Sequence, residues 1–218
     1  MSKGTVPPPP DFSAVPPALQ SWRTDEAIVR VFDPIYAPNG FNPGPGKAEV
    51  KGRFHFFASL TGDVVPVLYG AQSAEAAIAE TIFHDVPVAG APRVVLESRL
   101  GSASIVELAP TRELQLVELH GFGLARLGVI PEQPTSTDAT EYPQTIAWAC
   151  ALHAAQSDVD GLVWMSKQFN SAKALVLFGD RVSPADLAVV DSPQPLRTGP
   201  GRAMVDAAAN RAGILIVT

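Results

Sequence analysis

The chain has 218 residues, 46% of them hydrophobic and 17% charged, which suits one sizeable core and excludes a disordered or coiled-coil composition. A net charge of −6 and a sequence pI of about 5.2 argue against a broad electrostatic grip on nucleic acid, while leaving room for a local basic pocket for a small anion. The single cysteine, Cys150, excludes an internal disulfide and a cysteine-rich zinc site, and His55, His84, His120 and His153 lack ligand spacing, so no metal is expected.

No basic segment followed by an apolar stretch opens the chain, and no apolar run approaches the ~18 residues needed to span a membrane. The expectation is a soluble cytoplasmic protein. Residues 1–24 are proline-rich, and their four consecutive prolines favour extended polyproline II over core packing. They read as an arm lying on the surface or on a neighbouring subunit, ahead of a single domain over 25–218. "AIVRVFD" (27–33) predicts a strand, and the Gly-, Pro- and Asn-rich stretch 36–52 a loop. "GRFHFF" (52–57) and "VVPVLYGA" (64–71) predict strands. Ser73 suits the N-cap of a helix over 74–84. Further strands are expected at 93–97, 104–108 and 114–119. "YPQTIAWACALHAA" (142–155) predicts a helix with Cys150 in the core, and 161–166 and 174–179 predict short strands. The tail reads as a helix stopped by Gly213, then a strand. No internal repeat is present. Strands outnumber helices without alternating with them, so the fold class is α+β.

Four features carry chemistry. Glu80 sits in "SAEAAIAETIFHD", where its i±3 and i±4 neighbours are Ala76, Ala77, Phe83 and His84, with no cation among them. It is either a glutamate turned to solvent at a helix rim or a carboxylate held by a functional site. Arg30 alternates with Ile28 and Phe32 on one face of its strand, and Arg53 follows a glycine, where backbone can approach a ligand. Taken singly, each arginine reads as a structural salt bridge or edge residue; an arginine fork also grips phosphate. Tyr69 ends an apolar strand and reads by itself as core. Ser166 ends "DGLVWMS", where a hydroxyl is well placed to touch a ligand. Neither a nucleophile elbow nor a P-loop is present, and "GFGLARLG" (121–128) lacks the dinucleotide-binding spacing.

In this order the pieces resemble the RES family, named for its Arg, Glu and Ser: Arg30, "GRFH", "LYGAQSAEAAIAE", "YPQTIAWACALH", "DGLVWMS" and "LVLFGDR". The resemblance spans roughly residues 27–180. It implies a fold similar to ADP-ribosyltransferases, with a mixed or antiparallel β core and flanking helices. It also implies degradation of NAD, with water or inorganic phosphate as acceptor and no further cofactor. Many members are toxins neutralised by a DNA-binding antitoxin that occludes the active site, and a homodimer is expected. By position, Glu80 would be the catalytic carboxylate, with Arg30 and Ser166 beside it. Arg30 and Arg53 would bind the pyrophosphate, Tyr69 would pack near the nicotinamide ribose, and Ser166 would be the family serine. The chain departs from the pattern in its Pro/Gly-rich loop before Arg53, its long "FASLTGDVVP" connection and "GRFH" where "GRWN" is the commoner form. Two rival functions are transfer of ADP-ribose to a protein and a non-catalytic interaction protein with a degenerate pocket.

Overall fold

The computed structural model describes residues 7–9, 12, 16–44, 52–87, 90, 92–129 and 142–218. Eleven strands are described: β1 Leu19–Trp22, β2 Ile28–Phe32, β3 Val67–Ala71, β4 Val94–Leu96, β5 Ser104–Pro110, β6 Leu114–Glu118, β7 Gly161–Met165, β8 Lys173–Phe178, β9 Leu187–Val189, β10 Gln194–Pro195 and β11 Leu215–Val217. The helices are α1 Ala74–Thr81, α2 Gly121–Arg126, α3 Tyr142–Ala155 and α4 Gly199–Ala212. The main sheet runs β1-β6-β7-β8-β3-β2-β5-β10, with β9 also paired to β5. Its β6–β7 pair is parallel and its other pairs are antiparallel, while β4 and β11 form a separate parallel pair. This is the expected α+β class with a mixed, mostly antiparallel sheet.

Strand alternation divides the interior in two. Ile28, Phe32, Leu68, Val106, Leu116, Val163, Leu175 and Leu177 point to one face. Trp22 from β1 and Leu187 from β9 join the same cluster, so the sheet curls over it. The opposite face, with Val29, Val67, Leu162, Trp164, Val176 and Phe178, packs under α1, α3 and α4. The functional cleft opens on this helix-covered side. No helix among the described residues is long and apolar enough to cross a membrane.

Several expectations change in detail. Where it is described, the proline-rich arm, expected on the surface or on a neighbouring subunit, packs in part into this chain's own fold. Leu19–Trp22 is a strand on β6, and Trp22 is fully buried, with its Nε1 donating to the Glu26 carbonyl at 3.0 Å. Phe12 packs edge-on against Trp148 with ring centroids 5.0 Å apart. Described residues ahead of 25 thus pack on the sheet and on α3. Residues 52–57 form turns instead of a strand. Both edges of β3 are already taken by β2 and β8, leaving that segment no ladder to join. Its backbone turns to side chains, and Phe54 N–H donates to Tyr69 Oη at 3.0 Å. Strand β3 starts at Val67, later than 64. Helix α1 has the expected cap, with Ala76 N–H donating to Ser73 Oγ at 3.3 Å, but gives way to turns after Thr81. Gly213 stops α4 with φ of 64°, the left-handed conformation that glycine adopts without strain.

Candidate active site

A cleft of about 280 Å³ lies between β2, β3, β7, α1 and the start of α3. Arg53, Tyr69, Glu80, His84, Tyr142 and Trp164 are among its walls. Glu80 reaches it from the last turn of α1, with Ala77 one turn earlier and His84 beyond. The Glu80 side chain is only 15% exposed, so its charge depends on local partners.

Those partners are uneven. Oε1 accepts from Ser166 Oγ and from Lys167 N–H, each at 2.8 Å. Ser166 itself is buried, and its Oγ also accepts the Phe169 N–H at 3.2 Å. The end of β7 thus fixes one carboxylate oxygen and the side-chain orientation. Among the described residues Oε2 has only Arg53 Nη1, at 3.7 Å, close enough to attract but too far to hydrogen-bond. The second oxygen is left to accept a ligand hydroxyl. Replacing Ser166 with alanine removes one of the two donors on Oε1. Turnover is expected to fall by about 10- to 100-fold, mostly in kcat, because a hydrogen bond to a charged group contributes roughly 1.5–3 kcal/mol. Steady-state kinetics at a temperature well below the variant's melting transition would check this, because losing the Phe169 N–H acceptor also lowers Tm.

Arg53 is the most unusual residue. It is 4% exposed, and Nε, Nη1 and Nη2 are all buried without a hydrogen bond to any described residue. Its main chain is anchored, since its carbonyl accepts from Thr145 Oγ1 of α3. The preceding Gly52 lies under the His55 ring, whose Cε1 is 1.7 Å from where a β-carbon would be, so a larger residue would displace that ring from Tyr69. A buried guanidinium with three empty nitrogens is costly unless a ligand completes it. Trp164 Nε1, on the cleft wall, is likewise buried without a partner among the described residues.

Tyr69 Oη accepts from Phe54 N–H and meets His55 Nδ1 at 2.9 Å. Burial raises the Tyr69 phenol above its ordinary range and lowers His55 to about 4, so both are neutral near pH 7. The pair is satisfied when Tyr69 O–H donates to Nδ1, leaving the imidazole proton on Nε2. At the rim, His84 Nε2 meets Tyr142 Oη at 2.9 Å and Nδ1 meets Asp85 Oδ1 at 2.8 Å. The hydrogen bond from His84, and then the Arg99 charge, hold the Asp85 carboxyl below its usual range.

Glu80, Arg53, Tyr69 and Ser166 are therefore brought together. Arg30 is not. Val29 and Val31 line the cleft, so Arg30, between them on β2, points to the other side of the sheet. Its Nη1 donates to the carbonyls of Pro38 at 2.8 Å and Gly40 at 2.6 Å, and the guanidinium stacks on Phe32 at 5.4 Å. Burial lowers its pKa to about 10. The structure therefore does not bring Arg30, expected to have catalytic and pyrophosphate-binding roles, into the cleft with Glu80; on its own face the residue holds the 38–40 loop. Sequence reading missed Trp164, His55, Tyr142 and Arg99. Trp164 was within reach, because on β7 it alternates onto the same face as Ser166.

The RES domain family model matches residues 27–198, most of the chain. The chain belongs to the RES family. A comparison with curated proteins finds no match. Among solved structures, the chain is similar to one from the M. tuberculosis MbcT–MbcA toxin–antitoxin complex, with a TM-score of 0.56 and 17% identity. That alignment covers 86% of this chain and 92% of the other. At this identity the likeness is one of fold. The RES match spans every strand that shapes the cleft, from β2 through β3 and β7 to β8.

Proposed function

We propose that this RES protein cleaves the bond between nicotinamide and ribose in NAD, as a glycohydrolase or a phosphorylase. The observation that carries the reading is the buried Arg53 guanidinium, its three nitrogens empty, 3.7 Å from a carboxylate already held on its other oxygen. Such a cation suits an anionic ligand drawn in beside Glu80, and NAD offers a diphosphate next to a ribose.

The chemistry asks little of an acid. The nicotinamide is a pyridinium, so when the C1′–N bond breaks the electron pair goes to the ring nitrogen and neutral nicotinamide departs. Positive charge develops on the ribose as an oxocarbenium ion. Glu80 Oε2 accepts ribose hydroxyl hydrogen bonds and stabilises that charge, while Ser166 and Lys167 N–H hold the carboxylate in place. Water or phosphate then adds to C1′ through oxygen and gives up its proton. Tyr69 and Trp164 wall the site with flat apolar surface for the leaving ring. RES membership and the toxin–antitoxin neighbour support a place as the toxin of such a pair, acting on the cytoplasmic NAD pool. A DNA-binding antitoxin would close over the cleft, and the toxin would pair as a homodimer.

The acceptor is read from products. Purified protein is incubated with NAD in 18O-water, with and without inorganic phosphate, and analysed by mass spectrometry. ADP-ribose carrying 18O indicates a glycohydrolase, and ADP-ribose 1″-phosphate formed only with phosphate indicates a phosphorylase. ADP-ribose attached to protein, with none free, would overturn the reading.

A further inference from the structure

With Arg30 turned to the opposite face, one buried arginine remains for a ligand that carries two phosphates. The cleft is lined by a second guanidinium, that of Arg99. Arg99 sits on the short 3-10 helix Glu97–Leu100, anchored by Leu100, which is fully buried. Its side chain is 52% exposed. Its Nη2 donates to Asp85 Oδ2 at 2.6 Å, and its other nitrogens have no partner among the described residues. The two arginines lie at different depths. Arg53 is buried beside Glu80, and Arg99 is half exposed on Asp85, the residue that also meets His84. A dinucleotide whose ribose sat against Glu80 would extend from the buried arginine toward the exposed one, with its diphosphate between the two.

Resting on the reading above, we propose that Arg99 is the second diphosphate-binding arginine of this cleft, and that Asp85 is its resting counter-ion. In the empty site Asp85 occupies one side of the Arg99 fork. When a diphosphate arrives, the free nitrogens of Arg99 turn to its oxygens, and Asp85 keeps its hydrogen bond to His84. Asp85 then acts against binding, as a negative charge at the mouth of an anion site that competes for the same cation. Removing Arg99 weakens binding, and removing the Asp85 charge strengthens it. A purely structural Arg99–Asp85 ion pair predicts no such opposition, since breaking it from either side would act alike.

The test uses the full chain and ADP-ribose, measured by calorimetry at low salt, with NAD kinetics alongside. Arg99→Ala is expected to raise the Kd for ADP-ribose roughly tenfold or more, with the kinetic loss falling mainly on KM. Arg99→Lys should fall between, because it keeps the charge and loses the fork. Asp85→Asn should lower the Kd several-fold. An unchanged Kd in Arg99→Ala, or a weaker one in Asp85→Asn, overturns the proposal while the NAD reading stands on wild-type turnover. A wild-type protein that binds no ADP-ribose and leaves NAD intact overturns both.

Discussion

Glu80→Gln is expected to lower NAD turnover by roughly 10²–10³-fold, the usual loss when a preorganised electrostatic group is removed. The substitution is chosen for shape. A glutamine carbonyl oxygen can still accept from Ser166 Oγ and Lys167 N–H, so the side chain keeps its seat at the end of β7. What disappears is the negative charge opposite the developing oxocarbenium ion. The loss should therefore appear in kcat, with KM for NAD changing far less and the melting temperature nearly unmoved. Steady-state kinetics with nicotinamide release as the signal would separate these. A variant within a few-fold of wild type would remove Glu80 from the chemistry.

Arg53→Met is expected to abolish NAD binding and, in the empty protein, to raise stability. The sign follows from burial. The native Arg53 is 4% exposed, and among the described residues its guanidinium has no hydrogen bond and one counter-charge, at 3.7 Å. The 3.7 Å contact is too long to hydrogen-bond, so the variant loses little attraction while it relieves an unsatisfied buried guanidinium, whose desolvation costs about 1–3 kcal/mol. For a chain of 218 residues that corresponds to a rise of several degrees in Tm, at about 2–4 °C per kcal/mol. Glu80 loses its weak partner but keeps two donors on Oε1, which limits the offset. Saturating NAD or ADP-ribose should stabilise wild type by mass action and leave the variant unmoved. Thermal melts with and without ligand read both effects. A less stable Arg53→Met protein would mean that the guanidinium supports the fold, not a ligand.

Much of the architecture was legible because local chemistry and global position agreed. Ser73 before an alanine-rich run marked the start of α1, and Gly213 marked the end of α4. Glu80 stood out because a lone carboxylate among apolar neighbours needs a partner, and the structure supplies that partner from Ser166, 86 residues away. Arg30 shows the limit. Alternation correctly grouped it with Ile28 and Phe32, yet no local pattern says which face of a curled sheet bears the cleft. The same holds for 52–57, whose phenylalanines suit a strand but whose would-be partner β3 is flanked on both sides by later and earlier strands. The prolines around Leu19–Trp22 masked a short edge strand that long-range pairing with β6 creates. Arg99 left no signal, because its place on the cleft wall depends on how the 3-10 helix after β4 meets the end of α1.

The most direct measurement is release of free nicotinamide from NAD by the purified protein, followed over time by mass spectrometry beside Glu80→Gln. The account predicts many turnovers by wild type and near silence in the variant, with both proteins folded and both binding ADP-ribose. Intact NAD in the wild-type reaction, or release by Glu80→Gln at a similar rate, would contradict it.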